Sequence, residues 1–403
     1  MPRISLGGFG QNSLWFHPKE RHDCAMLTFQ YHLPVNLLFG RGKSDLIGEK
    51  TALLGKKALI VTGGSSTKKT GLLAKTEALL QENGVACVLF DKVTPNPLTT
   101  TVYEGAELAL SEGCDVIIGL GGGSSIDAAK GIAFHAVNGG DISDYIFGKR
   151  FSDKALPLVA VPTTCGTGTE GNGFAVLTNP DTMDKKSLRC NAIVPACSII
   201  DPLLMTTMPR QVLASVGFDA LCHCMEGYLV SVAQPITDLL ALEGVRLAAQ
   251  SVRRVYKDPS DLDSWDALTL ASTFGGMVIN TTGVAAPHGM EHPASGLKDM
   301  VHGEGLAALT PVVFEESIHG APEKFALLSK LLGGKDETDC VEEIKKLLNE
   351  LNLTATLGQC GITEEDVDWM AENCRKVSAV SIANHPVVFG LEDLKRIYRK
   401  AIS

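Results

Sequence analysis

The sequence lacks the features that mark exported or membrane-embedded chains. No apolar run reaches the ~18 residues that a membrane-spanning helix needs. The N-terminus carries Arg3 but no continuous apolar segment, so we do not expect a secretory signal. Its eleven cysteines are scattered through 403 residues without a C-x-x-C pair, which favours reduced thiols over a disulfide framework. These absences predict a cytoplasmic protein without a membrane partner.

Positive charge is also scarce. The chain has 36 Lys and Arg against 46 Asp and Glu, for a formal net charge of -10. Because nucleic acids and anionic membranes are bound through basic patches, we expect neither as a partner. A chain of 403 residues is long for one hydrophobic core, which favours two domains.

The hydrophobic pattern changes character near Asp201-Pro202. Before that point, short continuous apolar runs alternate with helical patterns, which is typical of a parallel sheet covered on both faces. The predicted strands are 57–62, 86–90, 115–119 and 157–161. Beyond it we predict helices at 209–230, 235–256, 263–280, 303–318, 322–333, 338–351, 363–378 and 391–402. The predicted organisation is an N-terminal extension (1–30), an α/β domain (31–202) and an all-α domain (203–403).

A glycine-rich turn follows the third predicted strand, in Gly119–Lys130 (GLGGGSSIDAAK). Consecutive glycines let the backbone approach a ligand, and the N-terminus of the following helix favours a pyrophosphate. The strict G-x-G-x-x-G pattern is not met, because position 124 is serine. The alternatives are a phosphate site and a simple tight turn. Asp127 is equally compatible with a ligand contact and with an ordinary first-turn acid.

Two further polar turns follow predicted strands, Gly63–Ser66 (GGSS) and Pro162–Glu170 (PTTCGTGTE). Open α/β sheets bind ligands at the carboxyl ends of their strands. Either turn alone could be ordinary loop chemistry. Three such turns in one sheet weigh against ordinary loop chemistry and favour a ligand site.

Histidines and a carboxylate recur at helical spacing in the second half. Asp219 and His223 stand four apart, as do His288 and His292, so each pair shares one helix face. His302 follows after an expected helix break at 293–296. Surface pairs or partly buried histidines are the alternative reading. One carboxylate with several imidazoles suits a divalent ion such as Fe(II) or Zn(II).

Taken together, these blocks resemble the iron-containing (group III) alcohol dehydrogenase family. The similarity runs from about Tyr31 to the C-terminus, and the blocks stand in the family's order. They are GGGSSIDAAK (121–130), PTTCGTGTE (162–170), DALCHCMEGY (219–228), HGMEHP (288–293) and HG (302–303).

The resemblance implies a dehydroquinate synthase-like architecture, with an N-terminal nucleotide-binding α/β domain, a C-terminal all-α metal-binding domain and the site in the cleft between them. It implies four metal ligands, Asp219, His223, His288 and His302, and it places His292 near the reaction centre as a non-ligand. Thr169 and Glu291 depart from the family's usual residues. Positions matching the family's cofactor contacts are Asn96, Gly122, Gly123, Ser124, Asp127, Thr163, Thr164, Thr167 and Lys186.

The implied activity is metal-dependent, NAD(P)-linked hydride transfer between a small alcohol or aldehyde and the nicotinamide. The metal, Fe(II) or alternatively Zn(II), acts as a Lewis acid on the substrate oxygen. His292, with a pKa suited to neutral operation, relays the alcohol proton. The alternatives are a glycerol-type polyol dehydrogenase, a maleylacetate reductase-like enzyme and a non-enzymatic metal-binding scaffold. The sequence leaves the oligomeric state undecided, and a homodimer is one of the options.

The turn after the first predicted strand bears on the choice of nucleotide. A carboxylate at this place would bind the ribose 2′-hydroxyl and repel a 2′-phosphate. Here Gly63 and Ser65 stand in the turn, and Lys68 and Lys69 follow it. Backbone N–H groups, hydroxyls and cations suit a phosphate, so we expect NADP(H) to be favoured over NAD(H). Phe174 and Ile279 are predicted walls of a pocket for a small or linear substrate.

Overall fold

A six-stranded parallel sheet organises the first half of the chain. The computed structural model describes residues 28–403, so the predicted extension over 1–30 lies almost entirely outside the described residues. The sheet has the order β1-β8-β5-β4-β2-β3, and β6 and β7 form a separate antiparallel pair. The strands are β1 (Asn36–Phe39), β2 (Lys57–Gly63), β3 (Ala86–Val93), β4 (Val116–Gly121), β5 (Leu158–Pro162), β6 (Phe174–Asn179), β7 (Asp184–Arg189) and β8 (Cys197–Ile200).

The four predicted strands are present as β2, β3, β4 and β5. All six residues of β4 and all five of β5 are buried, which agrees with their continuous apolar sequences. Separate apolar clusters cover the two faces of the sheet. The α/β fold class is therefore confirmed.

The second half of the described chain is helical and surrounds its own apolar core. The helices are α1 (Ile47–Ala52), α2 (Ser66–Lys69), α3 (Leu72–Glu82), α4 (Thr99–Ser111), α5 (Gly123–Asn138), α6 (Ile142–Ile146), α7 (Arg210–Leu229), α8 (Pro235–Lys257), α9 (Leu262–Thr282), α10 (Ala286–Lys298), α11 (His302–Glu315), α12 (Pro322–Leu332), α13 (Cys340–Glu350), α14 (Val367–Val377), α15 (Ala379–Asn384) and α16 (Leu391–Ile402). Within residues 28–403, no helix combines the length and apolar character needed to cross a bilayer.

The predicted helix break at 293–296 is wrong, because α10 continues through Pro293 to Lys298. A proline inside a helix removes one N–H and leaves the carbonyl four residues earlier without its usual donor. Here that carbonyl belongs to Gly289, and the Cys374 thiol donates to it over 3.3 Å. A neighbouring helix thus satisfies the group that Pro293 leaves unbonded.

Candidate metal and nucleotide site

The three polar turns lie side by side at the carboxyl edge of the sheet. They follow β2, β4 and β5, which are consecutive in the sheet. In the ladders Val61 is the partner of Gly119, and Gly121 is the partner of Pro162. The predicted nucleotide crevice is therefore a continuous row of backbone and hydroxyl groups at one edge.

The glycines that open α5 are packed against hydroxyl side chains of the neighbouring turn. A Cβ on Gly123 would lie 2.4 Å from Thr167 Cγ2, and one on Gly122 would lie 3.2 Å from Thr164 Oγ1. Larger residues would push these threonines away. Within residues 28–403 no side chain caps the first turn of α5, so the N–H groups at its start stay available to an anion.

Asp127 and Lys130 attach α5 to the third turn. Asp127 accepts hydrogen bonds from Thr169 Oγ1 (2.6 Å) and from the Val176 N–H (3.0 Å), so it is more than a first-turn acid. The buried Lys130 Nζ lies 2.6–2.9 Å from oxygens of Thr169, Asn172 and Phe174. Burial lowers the pKa of Lys130 to about 8. The segment from Thr169 to β6 is thereby held against α5.

Three of the four predicted metal ligands converge in the helical half. One ligand atom each from Asp219, His288 and His302 lies within 4.8 Å of the others. Asp219 Oδ1 is 3.2 Å from His288 Nε2 and 3.7 Å from His302 Nε2. His223 is adjacent to this group, with its ring stacked on that of His288 at a centroid distance of 4.4 Å.

Each of these histidines has an oxygen near its Nδ1. His288 Nδ1 is 2.6 Å from Glu226 Oε1. His223 Nδ1 is 3.2 Å from the Gly166 carbonyl and 3.5 Å from Asp219 Oδ1. His302 Nδ1 lies 2.6 Å from Glu291 Oε2.

A ring nitrogen that donates to oxygen holds the proton, which leaves the opposite Nε2 with a lone pair for a metal. For His288 the hydrogen bond with Glu226 sets this arrangement, and for His302 the nearby Glu291 carboxylate favours it. For His223 the Gly166 carbonyl favours it, although Nδ1 also lies near Asp219 Oδ1. Three imidazoles and one carboxylate therefore fit a divalent first-row ion.

The charges of the site also favour a cation. Asp219, Glu226 and Glu291 are buried, and Lys185 is the buried lysine beside them, 3.5 Å from Glu291 Oε2. With all three carboxylates ionised, the group has two negative charges in excess, which a divalent ion would balance. Burial lowers the pKa of His288, but the neighbouring carboxylates of Glu226 and Asp219 outweigh this effect and raise the pKa to about 10.

Burial dominates at two other histidines, whose pKa values are shifted downwards. It lowers the pKa of His223 to about 4. Burial also lowers the pKa of His292 far below its ordinary value, so the near-neutral pKa predicted for His292 is wrong. His292 lines the same cavity as the ligand group. Its ring centroid is 6.4 Å from that of His288 and 6.2 Å from that of His302.

The histidines and the start of α5 line one cleft with an empty volume of about 800 Å³. Five of the predicted cofactor residues line it: Asn96, Gly123, Ser124, Asp127 and Thr167. The predicted pocket walls Phe174 and Ile279 line it too. Thr163 lines a second cavity together with Ser66 and Leu203, whereas Gly63 and Ser65 line neither of these two cavities.

Asn96 also contacts the helical half. Its backbone is left-handed, with φ of 48°, and its Nδ2 donates to Asp299 Oδ1 over 2.7 Å. Asp299 follows the C-terminus of α10. Asn96 therefore connects the edge of the sheet with the helix that carries His288 and His292.

The structure places Lys186 outside the wall of the main cleft. Lys186 Nζ donates to the Val377 carbonyl and lies 5.8 Å from the Phe147 ring centroid, and the residue is not part of the cleft wall. Its neighbour Lys185 lines the cleft instead. Successive residues of a strand face opposite sides, so a shift of one position exchanges the two.

Sequence reasoning also missed the outer carboxylates. Glu226 stands seven residues after Asp219 and three after His223, so all three share one face of α7. That spacing was a usable signal for Glu226. Glu291 showed only a departure from the family pattern, and nothing in the sequence placed it beside His302.

Comparisons with known proteins cover both halves of the chain. The family model described as "Iron-containing alcohol dehydrogenase" matches residues 34–202, and "Fe-containing alcohol dehydrogenase family, C-terminal" matches 213–402. A 1,3-propanediol dehydrogenase of Klebsiella pneumoniae is 35% identical over 93% of this chain and 98% of its own. An NAD-dependent methanol dehydrogenase of Bacillus methanolicus is 30% identical over 92% and 99%. The crystal structure of an archaeal Red Sea brine pool alcohol dehydrogenase, 33% identical, superimposes with a TM-score of 0.89 over 93% and 99%.

Proposed function

Because the chain belongs to the iron-containing alcohol dehydrogenase family, we propose that it interconverts small alcohols and aldehydes at the centre formed by Asp219, His223, His288 and His302. It is an oxidoreductase linked to a nicotinamide nucleotide. The main support for placing the reaction here is the cleft, which is lined both by histidines of this centre and by the N-terminus of α5. The free cysteines of the described chain agree with a cytoplasmic location, which is also part of the proposal.

A divalent ion bound by these four side chains would polarise the substrate oxygen. We propose Fe(II), with Zn(II) as the alternative that the same ligands accept. The contacts with Glu226 and Gly166 would favour the tautomers of His288 and His223 that present Nε2 to the ion. His292, neutral because of burial, has a ring nitrogen that can accept the alcohol proton.

The nucleotide is assigned to residues 31–202 and the metal to residues 203–403. The second cavity, between the turn after β2 and Thr163, would hold the adenosine half of the nucleotide. The N-terminus of α5 would bind the pyrophosphate. The nicotinamide would then enter the cleft near Thr167 and Lys185, within reach of the metal centre.

NADP(H) is the proposed nucleotide. The turn Gly63–Ser66 contains no carboxylate, and its serines are exposed. Lys68 pairs with Asp91 of β3, so its charge is partly neutralised. Lys69 is exposed and makes no ion pair within residues 28–403, which makes it the better partner for a 2′-phosphate.

The test of the proposed function is a direct absorbance assay of the nucleotide. The metal-loaded enzyme is expected to consume NADPH at 340 nm with short aldehydes. Preference for a vicinal diol or glycerol would favour the polyol dehydrogenase, and reduction of maleylacetate would favour that reductase. Nucleotide binding without turnover of any of these compounds would favour a scaffold.

Replacing Gly63 by aspartate is expected to lower kcat/KM with NADP(H) about tenfold to hundredfold more than with NAD(H), because the carboxylate would repel a 2′-phosphate. The position accepts a side chain, since a Cβ there would lie 3.4 Å from its nearest neighbour, the Val93 carbonyl. Gly63→Asn is the uncharged control of equal size and should leave the ratio nearly unchanged. Equal losses with both nucleotides would show that the turn does not contact the adenosine ribose.

Replacing Glu291 by glutamine is expected to weaken metal binding about 10- to 100-fold, the usual effect of losing an outer partner of a ligating histidine. The amide keeps the shape but not the charge that faces His302 Nδ1. Competition with a chromogenic chelator measures the affinity independently of turnover. Glu372→Gln, on the exposed side of α14, is the control. Unchanged affinity would contradict the role of Glu291.

A further inference from the structure

Arg189 occupies a defined place in the wall of the cleft. It lies directly opposite Phe174 in the β6–β7 ladder, and both residues line the cleft. The guanidinium carbon is 4.3 Å from the centroid of the Phe174 ring. Stacking of this kind fixes the plane of the guanidinium and leaves its N–H groups free to bind at the edge.

No acidic side chain among the described residues pairs with Arg189. The other charged side chains in the cleft wall are already engaged. Lys185 faces Glu291, and the two carboxylate oxygens of Asp127 accept hydrogen bonds from Thr169 and the backbone of β6. The end of the cleft near Arg189 is therefore cationic, without a carboxylate among residues 28–403 to compensate it.

Strand β7 runs along the cleft, from the end at the proposed metal centre to the end at Arg189. Lys185, Ser187 and Arg189 alternate along the strand and all line the cleft, so the first and last are about 13 Å apart along the backbone. Lys185 lies at the end occupied by Glu291 and His302. Apolar Phe174, Ile279 and Val284 complete the wall.

We propose that Arg189 binds an anionic group at the far end of the substrate, so that the preferred substrates are short aldehydes or alcohols carrying a terminal carboxylate or a related oxyanion. This inference rests on the proposed function, because the reacting oxygen is assigned to the metal end of the cleft. The guanidinium offers two parallel N–H donors to such a group, and the apolar wall contacts the carbons between.

The experiment compares two aldehydes of equal chain length, butanal and 4-oxobutanoate, which differ by the terminal carboxylate. The metal-loaded enzyme is expected to have the higher kcat/KM with 4-oxobutanoate. In Arg189→Gln that value should fall roughly tenfold to hundredfold, as expected for loss of a charge-assisted pair. Activity with butanal should stay within about threefold. Arg189→Lys, which keeps the charge but not the paired donors, should show an intermediate loss.

Three results would overturn the proposal. The first is no preference for 4-oxobutanoate in the unmodified enzyme together with normal turnover of butanal. The second is an equal loss with both aldehydes in Arg189→Gln. The third is an increased KM for the nucleotide in that variant, which would assign Arg189 to the cofactor.

Binding without turnover separates this inference from the proposed function. In calorimetric titrations of the metal-loaded enzyme, succinate, an unreactive dicarboxylate, is expected to bind the unmodified chain and to lose affinity in Arg189→Gln. If neither aldehyde is reduced, the proposed function fails, while the succinate titration still decides the anion site. Absence of succinate binding in the unmodified enzyme would overturn the anion site.

Discussion

Replacing His223 by alanine is expected to abolish turnover and to strip the protein of its metal, while nucleotide binding persists. His223 supplies one of four proposed ligands, and its ring stacks on His288 within the centre. The remaining Asp219, His288 and His302 would hold an ion with one nitrogen donor fewer. The N-terminus of α5 and the turns around it are not altered by the change, so the affinity for NADP(H) should stay within about threefold.

The measurement combines elemental analysis after dialysis with calorimetric titration of NADP(H). His319→Ala removes an exposed histidine outside the cleft and serves as the control. It should keep both metal and turnover. Full metal occupancy in His223→Ala would show that His223 is not a ligand and that the tight group of Asp219, His288 and His302 holds the ion without it.

The sheet illustrates which parts of a fold a sequence can predict. β2, β3, β4 and β5 are buried apolar runs with turns after them, and each was predicted to within about three residues. β1 and β8 have only four residues each, and they pair with each other at residues about 160 positions apart in sequence. Their strand conformation depends on that distant pairing, which local patterns do not contain.

Pro293 shows the same dependence on context. Its local chemistry predicts the end of a helix, yet the thiol of Cys374 in α14 compensates the carbonyl of Gly289. The compensating group is 81 positions away from the proline in sequence. Only the packing of α14 against α10 reveals it.

The residues of the proposed metal centre were easier to bring together from the sequence than their surroundings. Asp219 and His223, like His288 and His292, repeat at the helical period, so their shared faces could be deduced directly. The partners of these residues come from other elements, as with Glu226 beside His288. For the lysine at the cleft, a motif match could not decide between Lys185 and Lys186, because the choice depends on which face of β7 is turned inward.

Replacing His292 by alanine is expected to lower kcat about 10²- to 10⁴-fold, the usual contribution of a general acid or base, while metal and nucleotide stay bound. The ring lines the cleft but lies more than 6 Å, centroid to centroid, from those of His288 and His302. Burial keeps the imidazole neutral, so it can accept a proton rather than only donate one. A neutral histidine outside the ligand group is therefore placed to act on the alcohol proton rather than on the ion.

The same variant discriminates between a proton-transfer role and a role in metal binding. If His292 handles the proton, elemental analysis should give unchanged metal, and added imidazole should restore part of the lost rate by entering the space left by the side chain. His292→Asn, which keeps a polar group of similar size but cannot accept the proton, should be as slow as the alanine variant and should not respond to imidazole. Loss of metal in His292→Ala would instead identify His292 as a ligand, and a normal rate with full metal would remove it from the mechanism. The comparison is sharp because His288, one helical turn earlier on the same face of α10, has the opposite expectation: its removal should release the ion, and imidazole should not restore turnover.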